Sequence, residues 1–124
     1  MAIGIGSWPY GWCIGVKDYP PPEPLTAPGL LARAKEFGVG VVQFAENIRI
    51  DDPESLRQSE ITIELGTRGT DSETLLHFSK LARILNPRLL RTLPGPDAER
   101  SIRKMLPAFA EAGVRLALEN YEKY

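Results

Sequence analysis

The 124 residues make the length of one ordinary domain, and 43% hydrophobic with 25% charged residues is globular usage that excludes disorder and low complexity. Fifteen basic against sixteen acidic residues give a formal net charge of −1 without like-charge blocks, which argues against nucleic acid or a membrane surface as partner. No window holds the ~20 apolar residues of a membrane span and residues 1–6 lack a signal peptide's basic start, so a soluble, cytoplasmic chain is expected.

Residues 3–6 are the first strand candidate. Cys13 stands alone, which excludes an internal disulfide framework and fits a reducing compartment. Pro20, Pro21, Pro22 and Pro24 make residues 20–24 a stiff extended loop, because proline fixes φ and lacks the backbone donor. Thr26 is a suitable N-cap with Pro28 in the first turn. Leu30, Leu31, Ala34 and Phe37 then follow at helical spacing, and Gly38 suits the left-handed C-terminal position. The apolar, β-branched run 39–44 reads as a strand covered on both faces.

Asp52 and Pro53 open a short helix predicted to reach about Ser59, and residues 61–65 form the third strand. Thr70 and Glu73 have capping-box spacing ahead of a helix carrying Leu75, Leu76, Phe78, Leu81, Ala82 and Leu85, which ends before Asn86-Pro87. Residues 89–93 are the fourth strand. Residues 96–112 are the fourth helix, in which Pro107 leaves the Arg103 carbonyl without its usual partner. Gly113 closes that helix, residues 116–119 form the fifth strand, and residues 120–124 are too few for another element.

This alternation, with short connections, is the pattern of a parallel sheet with helical crossovers. A five-stranded doubly wound sheet and part of a (β/α)8 barrel both satisfy it. The segment from Gly4 through Gly6, Pro9 and Gly11 does not continue as the glycine fingerprint of a dinucleotide-binding fold.

In either architecture chemistry gathers at the C-terminal ends of strands. Those ends offer Ser7, Trp8, Tyr10 and Trp12; then Glu46 and Asn47; then Gly66-Thr67-Arg68-Gly69; then Arg91 and Thr92; and finally Glu119 and Asn120. Glu119 closes a run that should be buried, so its carboxylate needs a divalent metal or an ion-pair partner such as Arg91. Arg91 can fork onto a substrate oxygen or balance Glu119 or Glu64. The Gly66–Gly69 turn could receive an anion or simply be tight. Trp8, Tyr10 and Trp12 suit the C–H face of a sugar and equally suit a cap on the core. His77 is the single histidine, too few for a zinc cluster, and Cys13 has no base nearby to make it a nucleophile.

The segment Glu111-Ala-Gly113-Val114-Arg-Leu-Ala-Leu-Glu119-Asn120 resembles the fifth-strand signature of the xylose isomerase-like barrel superfamily, which contains sugar and sugar-phosphate isomerases and epimerases. The segments around Glu46-Asn47, Glu64 to Gly69 and Leu89 to Thr92 look like its second, third and fourth strand ends. The resemblance covers most of the chain. It implies a partial (β/α)8 TIM barrel of about five parallel strands and four helices, an N-terminal half-barrel occupying residues 1–124 as one domain.

It further implies that Glu119 is a catalytic residue and the first ligand of a divalent metal (Mg, Mn, Co or Zn). Trp8, Tyr10, Trp12, Glu46, Asn47, Arg68, Arg91 and Asn120 would bind a small sugar or sugar phosphate. Proton transfer next to a carbonyl through an enediolate is the implied reaction, with the remaining ligands on strands six to eight. Because five strands leave two free edges, a missing C-terminal half or a second copy is expected as partner. The competing functions are a non-catalytic self-assembling half-barrel and an abasic-site endonuclease, the latter disfavoured by the lone histidine and the absence of basic excess.

Overall fold

A computed structural model describes residues 2–58 and 60–120. The strands are β1 (Gly4–Gly6), β2 (Val41–Phe44), β3 (Thr62–Gly66), β4 (Leu89–Thr92) and β5 (Arg115–Leu118). The helices are α1 (Gly11–Ile14), α2 (Ala27–Phe37), α3 (Ser72–Leu85) and α4 (Ala98–Ala112). Every neighbouring pair of strands is parallel, and the order across the sheet is β1-β2-β3-β4-β5.

That order decides between the two architectures. A doubly wound sheet reverses its strand order at a switch point, whereas a barrel adds each strand beside the last. The chain is therefore a partial (β/α)8 barrel. Right-handed crossovers of this kind put every helix on the same face. On that face Val42, Phe44, Ile63, Leu65 and Leu90 pack with Leu30, Leu31, Leu75, Leu85 and Phe109 into one buried cluster. The intervening strand residues Gln43, Glu64, Gly66, Arg91 and Ala117 point to the opposite, lumen side, as the two-residue period requires. Their register joins Gln43 to Glu64, Gly66 to Arg91, and Arg91 to Ala117.

Helix α2 begins and ends as its sequence specifies. The Thr26 hydroxyl accepts the Gly29 N–H at 3.2 Å, and Gly38 takes the left-handed conformation at φ 68°. Elsewhere the structure corrects the sequence reading. Helix α1 was not anticipated; it continues a 3-10 turn over Trp8–Tyr10 and is barely one turn long, too short for periodicity to register. The predicted helix from Asp52 is a single 3-10 turn, Pro53–Leu56, and the expected end at Ser59 lies outside the described residues, as do residues 121–124. That turn contributes the fully buried Leu56 between α2 and α3, so one side chain fills part of the layer a full helix would occupy.

The N-cap of α3 is Asp71, not Thr70. Asp71 Oδ1 accepts the Thr74 N–H at 2.9 Å and Oδ2 the Thr74 hydroxyl at 2.8 Å. Thr70 is buried, with its hydroxyl oxygen taking the Gly95 N–H at 3.3 Å. Helix α4 starts at Ala98 because Asp97 adopts φ 54°, a left-handed conformation that aspartate tolerates and a helix does not. The helix runs on through Pro107. Pro107 and Arg103 both lie on its exposed side, where the freed Arg103 carbonyl can meet water.

The fifth strand is less buried than its apolar run predicts. Leu118 is 52% exposed, because α4 covers β5 from one side alone. At the other edge Ile3, next to β1, is 69% exposed. No helix among the described residues is long and apolar enough to cross a membrane.

Candidate functional site at the strand ends

Five side chains line one cleft of about 350 Å³: Trp8, Gln43, Arg68, Arg91 and Glu119. Each comes from the C-terminal end of a different strand, β1 through β5 in order. In a flat sheet β1 and β5 would stand about 19 Å apart, at ~4.8 Å per strand step. One cleft touching both requires the sheet to curl, with these residues on its inner side.

Arg91 forms the centre. Its Nη1 donates to Glu119 Oε2 at 2.9 Å, and its side chain is 20% exposed against 50% for Glu119. The expectation of a buried Glu119 is thereby corrected: the carboxylate is half in solvent and satisfied by a guanidinium. Strand pairing sets this contact, since Glu119 donates its backbone N–H to the Thr92 carbonyl at 2.9 Å. At the rim the Arg68 guanidinium carbon stands 4.9 Å from the centre of the Trp8 ring, and its Nε lies 3.0 Å from Glu46 Oε1.

The floor is a second charged group. Glu64, nearly buried on β3, pairs with Arg88 and accepts from Gln43 Nε2 at 3.3 Å. Of the two partners weighed for Arg91, Glu119 is the one it takes, and Glu64 is served from below. Gly66 makes the arrangement sterically feasible. A Cβ there would stand 2.9 Å from Arg91 Nη2 and 3.2 Å from Gln43 Oε1, so glycine leaves the space those two groups occupy. Gln43 was missed in the sequence reading. The signal was present, however: it is the one polar residue in the run Val41-Val42-Gln43-Phe44, on the inward parity.

The other predicted residues are placed as follows. Asn47 braces β1 against β2: its Oδ1 accepts the Ser7 hydroxyl at 2.6 Å, its Nδ2 donates to the Ser7 carbonyl at 3.0 Å, and Ser7 Oγ takes the Ala45 N–H at 2.9 Å. Glu46 reaches the cleft through Arg68. Tyr10 packs toward the core with Arg33 over its ring at 5.4 Å, away from the cleft. Trp12 is 71% exposed and meets Tyr19 edge-on at 6.2 Å, in a separate groove with Cys13. Asn120 is exposed beside Glu119, and His77 is exposed on α3.

The Gly66–Gly69 turn does not present an open helix end to an anion, because the Asp71 carboxylate already caps α3. Its bond to the Thr74 backbone N–H, and then to the Thr74 hydroxyl, holds the Asp71 carboxyl below its ordinary value of 3.8. A larger groove of about 590 Å³ runs between residues 14–28 and 47–56, lined largely by Leu25, Ile48, Ile50 and Leu56. It lies where the 3-10 turn replaces a helix, and it gathers no constellation of catalytic type.

A divalent ion does not fit the described residues by themselves. They contain no cluster of three His, Cys, Asp or Glu side chains able to hold one. The cleft's lining carboxylate, Glu119, is matched to Arg91, while a hard cation wants about six oxygen ligands.

The chain is 31% identical to 3-oxo-isoapionate decarboxylase from Pectobacterium atrosepticum, over 140 aligned positions that take in 99% of this chain and 50% of the relative. It thus spans about half the length of the curated relative it matches. No family model matches the chain, and no solved structure matches it.

Proposed function

We propose that the chain is part of an enzyme of the xylose isomerase-like barrel superfamily that forms an enediolate on a small polyhydroxylated carbonyl compound. The observation that carries this reading is the convergence of five strand ends on one polar cleft. The similarity to a decarboxylase of a 3-oxo sugar acid supports it further.

Isomerisation and decarboxylation meet at the same intermediate. An isomerase removes a proton from the carbon next to a carbonyl. A 3-oxo acid decarboxylase breaks the bond to the carboxylate carbon, carbon dioxide leaves, and the electron pair moves onto the carbonyl oxygen. Either way negative charge develops on an oxygen, and a fixed cation beside it lowers the barrier. Arg91 is the group proposed to receive that oxygen through Nη2, with Nη1 held by Glu119. Gln43, its Nε2 turned to Glu64, presents Oε1 to a substrate hydroxyl. Glu119 is the proposed acid/base that returns a proton to carbon. A divalent metal would require Glu119 to leave Arg91 and further ligands from outside β1–β5, and no step is assigned to one here.

The exposed Ile3 and Leu118 at the two sheet edges favour a second element of the reading. Further strands, from the same polypeptide or from a second copy, would pair with β1 and β5 and close the cleft. Without that closure the half-barrel would be a non-catalytic assembly module that keeps the five strand ends able to bind ligand.

Enediolate mimicry tests the reading. Threonohydroxamate is planar where an enediolate is and can give up its N–OH proton beside a guanidinium, so it should bind more tightly than the polyol threitol, and Arg91→Met should remove the difference. Equal binding of the two by the unsubstituted protein would refute enediolate chemistry in this cleft.

A further inference from the structure

Arg68 stands at the mouth of the cleft. Its guanidinium is stacked on Trp8 at 4.9 Å and paired through Nε with Glu46 at 3.0 Å. The indole face and the carboxylate both draw the guanidinium to the mouth of the cleft. The side chain nevertheless remains 65% exposed, open to a ligand from solvent. Among the described residues neither terminal nitrogen of Arg68 has a hydrogen-bond partner, and the side chain lines the cleft.

Charge then selects the ligand. The cleft wall holds two guanidiniums, on Arg68 and Arg91, against the single carboxylate of Glu119; Trp8 and Gln43 are neutral. Glu46, paired with Arg68 at 3.0 Å, brings the charged groups at the mouth into balance, so a bound carboxylate adds a single negative charge there. A phosphate carries about −1.5 to −2 at neutral pH and would leave a larger negative excess beside Glu46 and Glu119. The planar fork of a free guanidinium edge also matches a carboxylate in two-point geometry.

We propose that Arg68, braced by Trp8 and Glu46, is the carboxylate receptor of the cleft, and that the substrate is a small hydroxy acid. The carboxylate sits at the rim on Arg68, while the oxygen-bearing carbons reach inward to Gln43 and Arg91. This rests on the reading of the cleft as a site for polyhydroxylated compounds. Because Arg68 is largely exposed, it orients the carboxylate without burying it, and loss of the contact opposes departure of carbon dioxide by no more than about tenfold.

Calorimetric titration with threonate, threitol and glycerol 3-phosphate tests the assignment. Threonate is expected to bind about tenfold more tightly than threitol, as one charge-assisted contact provides. Arg68→Gln should abolish that preference, and Trp8→Leu should lower it part of the way. Equal affinity for threonate and threitol overturns the carboxylate assignment alone, as does tighter binding of glycerol 3-phosphate or a preference that survives Arg68→Gln. Failure of both threonate and threitol to bind overturns the polyol-site reading and this assignment with it. Both side chains are exposed at the rim, so loss of folding does not cloud the comparison.

Discussion

Arg91 and Glu119 stand on adjacent parallel strands, and the 2.9 Å contact between them couples the centre of the cleft to the edge of the sheet. Glu119 is both the residue expected to hold a metal and the counter-ion of the guanidinium proposed to receive the substrate oxygen. These roles compete for the same oxygens, which makes Glu119 the residue whose substitution says most.

Glu119→Gln removes one negative charge and keeps the shape. Arg91 is then uncompensated and the cleft gains positive charge, so threonate should bind more tightly, by about threefold to tenfold at low salt. A metal role predicts instead that a divalent ion bound by the unsubstituted protein is lost. Parallel titrations with threonate and with MnCl2 distinguish the two.

Gly66→Ala separates the site from the fold. The added Cβ meets the ends of two flexible side chains, Arg91 Nη2 and Gln43 Oε1, which can swing aside. Stability should change by less than about 1 kcal/mol in urea denaturation, since alanine also restricts the unfolded chain. Affinity for threonate should fall, because the displaced groups are those proposed to grip the substrate.

Asp71→Ala removes the acceptor for the Thr74 N–H and lowers the melting temperature at neutral pH. The Asp71 carboxyl sits below its ordinary value of 3.8 in the folded protein, so its ionised form favours folding. That contribution is present above pH 3.8 and disappears as pH falls through the lowered folded value. The gap between Asp71→Ala and the unsubstituted protein should therefore narrow on acidification, as thermal melts between neutral and strongly acid pH would record.

Leu118 and Ile3 leave apolar surface at opposite edges of one sheet. If two copies meet there, light scattering of this chain should show a dimer at micromolar concentration, and Leu118→Lys should shift it to monomer. A cooperatively folding monomer at all concentrations would contradict closure by a second copy.

The sequence carried the helix and strand succession because β-branched runs, Thr26, Gly38 and Gly113 are local signals. Periodicity could not choose between a doubly wound sheet and a barrel, since strand order is a long-range property; the strand-end motifs pointed to the barrel, and the order β1-β2-β3-β4-β5 bears that out. Thr70 and Asp71 show the same limit at small scale: both can cap α3, and Gly95 on a distant loop takes up the first. Among site residues, Trp8, Arg68, Arg91 and Glu119 were legible as strand-end positions. Gln43 was overlooked because an amide inside an apolar run draws attention only once its parity is known. Tyr10 and Trp12 share Trp8's stretch of chain, but the unforeseen α1 turns them elsewhere.

A site built from the strand ends places Trp8 in the ligand cleft and Trp12 in a separate groove. Nitrogen-15 NMR resolves the two indole N–H signals and follows them during titration with threonate. The Trp8 signal should move with ligand concentration while that of Trp12 stays fixed, and Arg68→Gln should weaken the response. Movement of Trp12 alone, or of neither, would contradict a site built from the five strand ends.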